Sequence, residues 1–253
     1  MTTSDRWTRA VRERLGLGRL LPLGGPRDGA WIAERAAREV LLAAAREVAG
    51  VRPGGLRIAP AGTADSGEPV VPSPPSALPP GPLRVTADFA ATADVTTATA
   101  EPLPATASRL RAALAAAATR GLGLTVTDVD LRATALLDVT TDPEPEPGTA
   151  PGREPRHPPA VGHTDGGRDE DEGRAVDAAM SVPGVTRLTT ALGRSVHVTE
   201  LSRGPALPRR HVLVELAVDA DHRAVEVARR VRAAVAEALP DGPSVAVLVT
   251  EVG

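Results

Sequence analysis

The residues in this sequence that could carry chemistry are five histidines, scattered Asp and Glu, and arginine, because the 253-residue chain contains no cysteine. Thiolate nucleophiles, zinc–thiolate sites, iron–sulfur clusters and disulfides are thereby excluded. His157 and His163 lie close to Asp165, Asp169 and Asp171. That set contains metal-binding side chains, but it sits in an acidic, proline-rich run that fixes no geometry, so no metal site is expected. His197 stands between Val196 and Val198 on the outward phase of a strand-like run, His211 opens a strand, and His222 opens a helix near Asp219 and Asp221. No acid–base partner shares their spacing, so each reads as a surface or capping residue. The glycine stretches LGLGRLLPLGGP and RGLGL fit neither GxGxxG nor a phosphate loop and read as turns. GxSxG is absent. The expectation is a protein without catalytic residues or cofactor, hence not an enzyme.

Two arginine-bearing segments could bind a partner. In HRAVEVARRVRAAV, Arg223, Arg229, Arg230 and Arg232 fall on the exposed arc of a helix and could contact an anion, though a solvated helix face has the same pattern. In DRWTRAVRERLGLGRLLPLGG, Trp7, Val11 and Leu15 recur at i, i+4 and i+8, with Arg9 and Arg12 among five arginines against two acids. Such a basic amphipathic helix could meet an anionic membrane surface, an envelope-bound partner, or its own domain.

Composition narrows the remainder. The formal net charge of −3 argues against a nucleic-acid binder held by electrostatics. No apolar run approaches the roughly 20 residues that span a bilayer, and no N-terminal stretch has a signal-peptide core, so the expected address is the cytoplasm. With one Phe, no Tyr and two Trp, any core must be Ala, Val and Leu.

Residues 60–82 hold eight prolines and read as a long polyproline-type loop; beyond it, nothing supports a likeness to a nucleopolyhedrovirus fibrillar protein. Residues 139–174 carry nine acidic residues against four Arg with almost nothing to bury, which reads as a disordered linker over 139–173. On either side the same order recurs. The first half offers a helix over 36–51, strands in GLRIA and PLRVTADFA, a long helix over 105–120 and a strand in TVTDVDLRAT. The second offers a helix in VDAAMSVPGV, strands in VTRLTT, RSVHVTE and HVLVELAVD, a helix from Asp221 to Leu239 capped by Asp219 or Asp221, and the strand SVAVLVTEV. RLRAAL (109–114) and RVRAAV (230–235) occupy the middle of the equivalent helix in each half. The fold class expected is α/β (α+β), as two small two-layer units over 30–138 and 174–253, each with two helices on one face of a mixed sheet.

A helix closing on VAGV or VPGV, then strands, then a helix of the RLRAAL type running into GLTVTDVDLRAT, resembles the alkaline-shock family of general-stress and envelope-stress proteins. The resemblance covers about residues 30–138 and again 174–252. The first stretch departs from it by the insertion at 60–82, the second by LPDGPSV after its long helix. It implies a non-enzymatic, abundant cytoplasmic protein associated with the cell envelope through partners, and the expected role is a scaffold or adaptor with a protein partner. The basic N-terminal helix adds peripheral membrane contact to that expectation, and the net charge adds no specific nucleic acid. The alternative is a regulatory module binding a small ligand or anionic polymer through helix 222–239.

Overall fold

A computed structural model describes residues 16–62, 67–93, 102–138, 166–201 and 209–253. The N-terminal contact candidates Trp7, Arg9, Val11, Arg12 and Leu15, and also His157, His163 and Asp165, lie outside the described residues.

The fold is mixed α/β, with four α-helices and nine strands on mixed sheets among the described residues. In chain order these are β1 (Leu20–Pro22), β2 (Ala30–Ala33), α1 (Glu34–Arg46), β3 (Val51–Pro60), β4 (Leu83–Ala93), α2 (Leu103–Ala116), β5 (Val126–Asp138), α3 (Gly166–Met180), β6 (Val185–Leu188), β7 (Val196–Leu201), β8 (Arg209–Val218), α4 (Ala224–Ala238) and β9 (Ser244–Val252). α2 runs on into a π-helical turn, Ala117–Leu122.

Local chemistry accounts for most of these boundaries. α2 begins after Pro102 with Pro104 in its first turn, where a missing N–H costs nothing. In β4 the period of two puts Leu83, Val85, Ala87 and Phe89 inside, as the alternation requires. α4 buries Val227, Val231 and Val235 together with Ala224, Val225 and Ala228, while Ala238 at its end is exposed. Its N-cap is Arg223, with no side-chain cap. Asp219 instead accepts the Asp221 N–H at 2.8 Å in a local turn, so neither aspartate caps the helix.

In each half an antiparallel strand pair precedes a helix and a parallel strand. β3 pairs antiparallel with β4 and β4 parallel with β5; β6 and β7 pair antiparallel with β8 and β8 parallel with β9. The separation of the halves expected from sequence is not how the sheets are built. β1 and β2 form a hairpin whose second strand pairs parallel with β9, so residues 20–33 extend the C-terminal sheet to six strands. Residues 20–33, read as the end of an N-terminal basic segment (1–29) and the start of the first unit, thus complete the C-terminal sheet. At the linker, α3 starts at Gly166, eight residues before the expected unit.

The helices lie between the two sheets. α1 packs on β3 of the three-stranded sheet and on β9 of the six-stranded one, and α3 packs on α4. One continuous core results, running from Leu56, Val85 and Phe89 through Leu41 and Leu114 to Val214, Val231 and Val247. The outward face of the six-stranded sheet forms a second cluster of Leu20, Trp31, Val71, Leu213, Ala246 and Leu248. The proline-rich loop covers this cluster. Its Leu78 N–H donates to Leu20 at 2.9 Å, and its Leu78 carbonyl accepts the Trp31 indole N–H at 3.3 Å. Prolines suit such a cover, because a segment that owes few backbone donors can lie on apolar side chains without stranding N–H groups.

Candidate interaction surface

The arginines of α4 are turned inward on the chain itself. Arg229 grips Asp28 of the β1–β2 hairpin with two nitrogens, at 2.7 and 3.1 Å, and also reaches Glu226 at 2.7 Å. Arg232 donates to the carbonyls of Val245, Arg27 and Asp28. Arg223 reaches the Thr119 carbonyl at 3.1 Å and Glu226 at 3.4 Å. Three of the four arginines expected to contact an anion therefore fasten the hairpin and the end of α2 to α4; Arg230 stays exposed. Bidentate guanidinium–carboxylate geometry makes this a positioning device.

Burial alone would raise the Asp28 carboxyl pKa, but the hydrogen bonds from Arg229 and from the Gly25 N–H, with the charges of Arg229 and Arg232, bring it below the ordinary value. A depressed folded pKa gives stability that is present above the unfolded value of about 3.9 and lost as pH falls through the folded one. Asp28→Asn is therefore expected to cost about 1 to 2 kcal/mol at neutral pH, kept modest because Arg229 is half exposed. The gap between wild type and variant should close on acidification, as read by urea unfolding across pH. A gap that stays constant with pH would disprove the assignment.

The described histidines are less exposed than their sequence phase implied. His211, 8% exposed, pairs through Nδ1 with the Ser244 hydroxyl at 2.9 Å, and burial lowers its pKa against the opposing effect of a backbone hydrogen bond at Ser244. His222 stands 3.7 Å from Asp219. His197 Nε2 lies 3.3 Å from Oε1 of Glu215, a fully buried carboxylate that also accepts the Leu192 N–H at 3.0 and 3.2 Å. This pair went unread in the sequence, although a Glu within HVLVELAV, otherwise apolar at its centre, marks it. A buried carboxylate needs partners, and here they tie the 189–195 turn down onto the sheet. Among the described residues no three His, Asp or Glu side chains gather in a metal-binding group.

The outward face of the three-stranded sheet is built from different material. Register puts Arg57 beside Thr86 and Thr86 beside Asp130, Arg84 beside Asp128, and Asp88 beside Arg132, so this face is polar and charged across all three strands. Arg84 bridges Asp128 and Asp130, each at 3.6 Å. At the β3 end, Arg38 of α1, Arg57, Arg132, Thr86 and Asp88 line an open cleft of about 450 Å³. Three guanidinium groups against one carboxylate give its lining an excess of positive charge. The cleft has room because β3 bulges between Pro53 and Leu56, and Gly55 leaves Asp88 the space that a Cβ, 3.0 Å from its Oδ2, would contest. A second opening of about 340 Å³, between α1, β6 and the end of β9, has its arginines already paired, with Arg35 and Arg187 both on Glu251.

No described helix is long and apolar enough to cross a membrane. No family model matches the chain, and no curated protein matches it.

Proposed function

We propose that the protein is a non-enzymatic scaffold or adaptor that holds an acidic segment of a partner protein on the outward face of its three-stranded sheet. The observation that carries this reading is the contrast between the two sheets. A proline-rich loop closes the outer face of one, whereas among the described residues no element covers the other, which presents Arg38, Arg57 and Arg132 around one cleft. An exposed face of mixed charge with an unbalanced arginine cluster suits electrostatic recognition, which sets partner choice and association rate. The likeness to alkaline-shock proteins supports a stress- and envelope-associated role in the cytoplasm, peripheral to the membrane through that partner. The alternative site for a small ligand or anionic polymer, helix 222–239, has three of its four arginines engaged within the chain.

The test is comparative capture from the native source with the full chain and with Arg38→Glu/Arg57→Glu. Wild type should retain a partner bearing an acidic stretch that the variant releases, and the retained amount should fall as salt rises through the physiological range. Equal retention by both proteins would overturn the reading.

A further inference from the structure

We propose that the outer edge of β5 pairs with the same edge of a second copy of the chain, joining two three-stranded sheets into one six-stranded sheet across a two-fold axis at Leu131. Natural proteins blunt edge strands with prolines, bulges or cover, because unpaired N–H and C=O groups template further pairing. The opposite edge of this sheet is so defended, since β3 carries Pro53 and Pro60 and a bulge between Pro53 and Leu56. β5 is thirteen residues long and contains neither Pro nor Gly, and its two irregularities against β4, at Thr127 and Thr134, leave an unbroken run from Asp128 to Ala133 between them. Among the described residues no strand pairs with its outer side. The exposed side chain of Arg111 donates to the Val129 carbonyl at 3.2 Å, a contact that water or a strand can replace.

The sequence of β5 is complementary to itself in one antiparallel register. Val126, Val129, Leu131, Ala133 and Leu136 stand beside the buried β4 residues Leu83, Val85, Ala87, Phe89 and Ala91, so the helix side of β5 is apolar from Val126 to Leu136. Leu136 is nonetheless 66% exposed. With the two-fold at Leu131, Val129 of one copy meets Ala133 of the other, Val126 meets Leu136, and the leucines meet each other. On the charged side, Asp130 of each copy faces Arg132 of the other. Moving the axis by one residue sets Asp130 against Asp130 or Arg132 against Arg132, and like charges directly opposite are unfavourable. The opposite-charge pairs beside the axis, together with the apolar pairs that extend to Val126 and Leu136, set the partner and the register, as isologous pairing requires.

The experiment measures the mass of the full chain by sedimentation or light scattering over a rising micromolar series. Wild type should shift from 26.0 kDa toward twice that mass. Asp130→Lys and Arg132→Glu should each remain at the monomer mass alone, because each puts like charges across the axis twice. Mixed in equal amounts they should dimerise, since every crossing pair is then opposite in sign. Recovery on mixing also shows that both variants are folded, and changes within one copy are the same alone and mixed. Wild type fixed at 26.0 kDa, single variants that dimerise like wild type, or a mixture that fails to recover would each overturn the proposal. Arg38→Glu/Arg57→Glu leaves this edge unaltered, so loss of the acidic partner and loss of the dimer are separable results.

Discussion

Gly123→Ala is expected to destabilise the protein by roughly 3 to 4 kcal/mol, the sum of a left-handed backbone penalty and an overpacked contact. Gly123 ends the π-helical turn at φ +91, a region a side chain enters at a cost. A Cβ there would lie 2.6 Å from Cβ of Val225, itself 1% exposed on α4, and closer still to Cγ1. The neighbouring geometry explains why nothing gives way. Gly24 of the hairpin donates its N–H to the Gly123 carbonyl at 3.1 Å, and a Cβ on Gly24 would come within 2.9 Å of the other Val225 methyl. Three segments remote in sequence thus close on one valine. Val225→Ala removes the steric part and leaves the backbone part, so Gly123→Ala should cost less in that background, as measured by urea unfolding with Trp31 fluorescence. Equal costs in the two backgrounds would show that the close approach contributes nothing.

What the sequence disclosed is what short-range periodicity can carry. The inward set of β4, the apolar runs of β8 and β9, and the valines of α4 were all readable, because each pattern repeats within a few residues. The hairpin was not, although LLPLGGPRDGAWIA holds two apolar runs around a glycine-rich turn. Strands of three and four residues have little stability of their own, and β2 exists because Ala30, Trp31 and Ile32 align with Val247, Leu248 and Val249 more than two hundred positions away. The same distance hid the site. Arg229 reads as a solvated helix arginine until Asp28 is brought to it, and the cleft collects Arg38, Arg57 and Arg132 from a helix and two strands that share no local motif. His197 and Glu215 sit diagonally on paired strands, a relation set by register rather than spacing.

Trp31→Ala should be the most damaging single truncation on the outer face of the six-stranded sheet, at about 4 kcal/mol. Among the described residues of a chain with so few aromatics, Trp31 is the largest fully buried side chain, and Val71 and Ala77, which pack in its cluster, belong to the proline-rich loop. Removing the indole therefore has two consequences. It opens a cavity between loop and sheet, and it strands the Leu78 carbonyl that accepts the indole N–H. Trp31→Phe separates these effects, since it keeps most of the buried area and loses the hydrogen bond, at an expected cost of about 1 to 2 kcal/mol. The loop should respond before the sheet does. The Leu78 N–H, held only by the Leu20 carbonyl, should exchange with solvent much faster in Trp31→Ala, while the Val247 N–H inside the sheet keeps its protection relative to global unfolding. Similar changes at both amides would mean that loop and sheet open as one unit. A loss below about 1 kcal/mol would mean that the proline-rich segment is draped over the sheet without packing against it, and the contrast between a closed and an open sheet face would lose its physical basis.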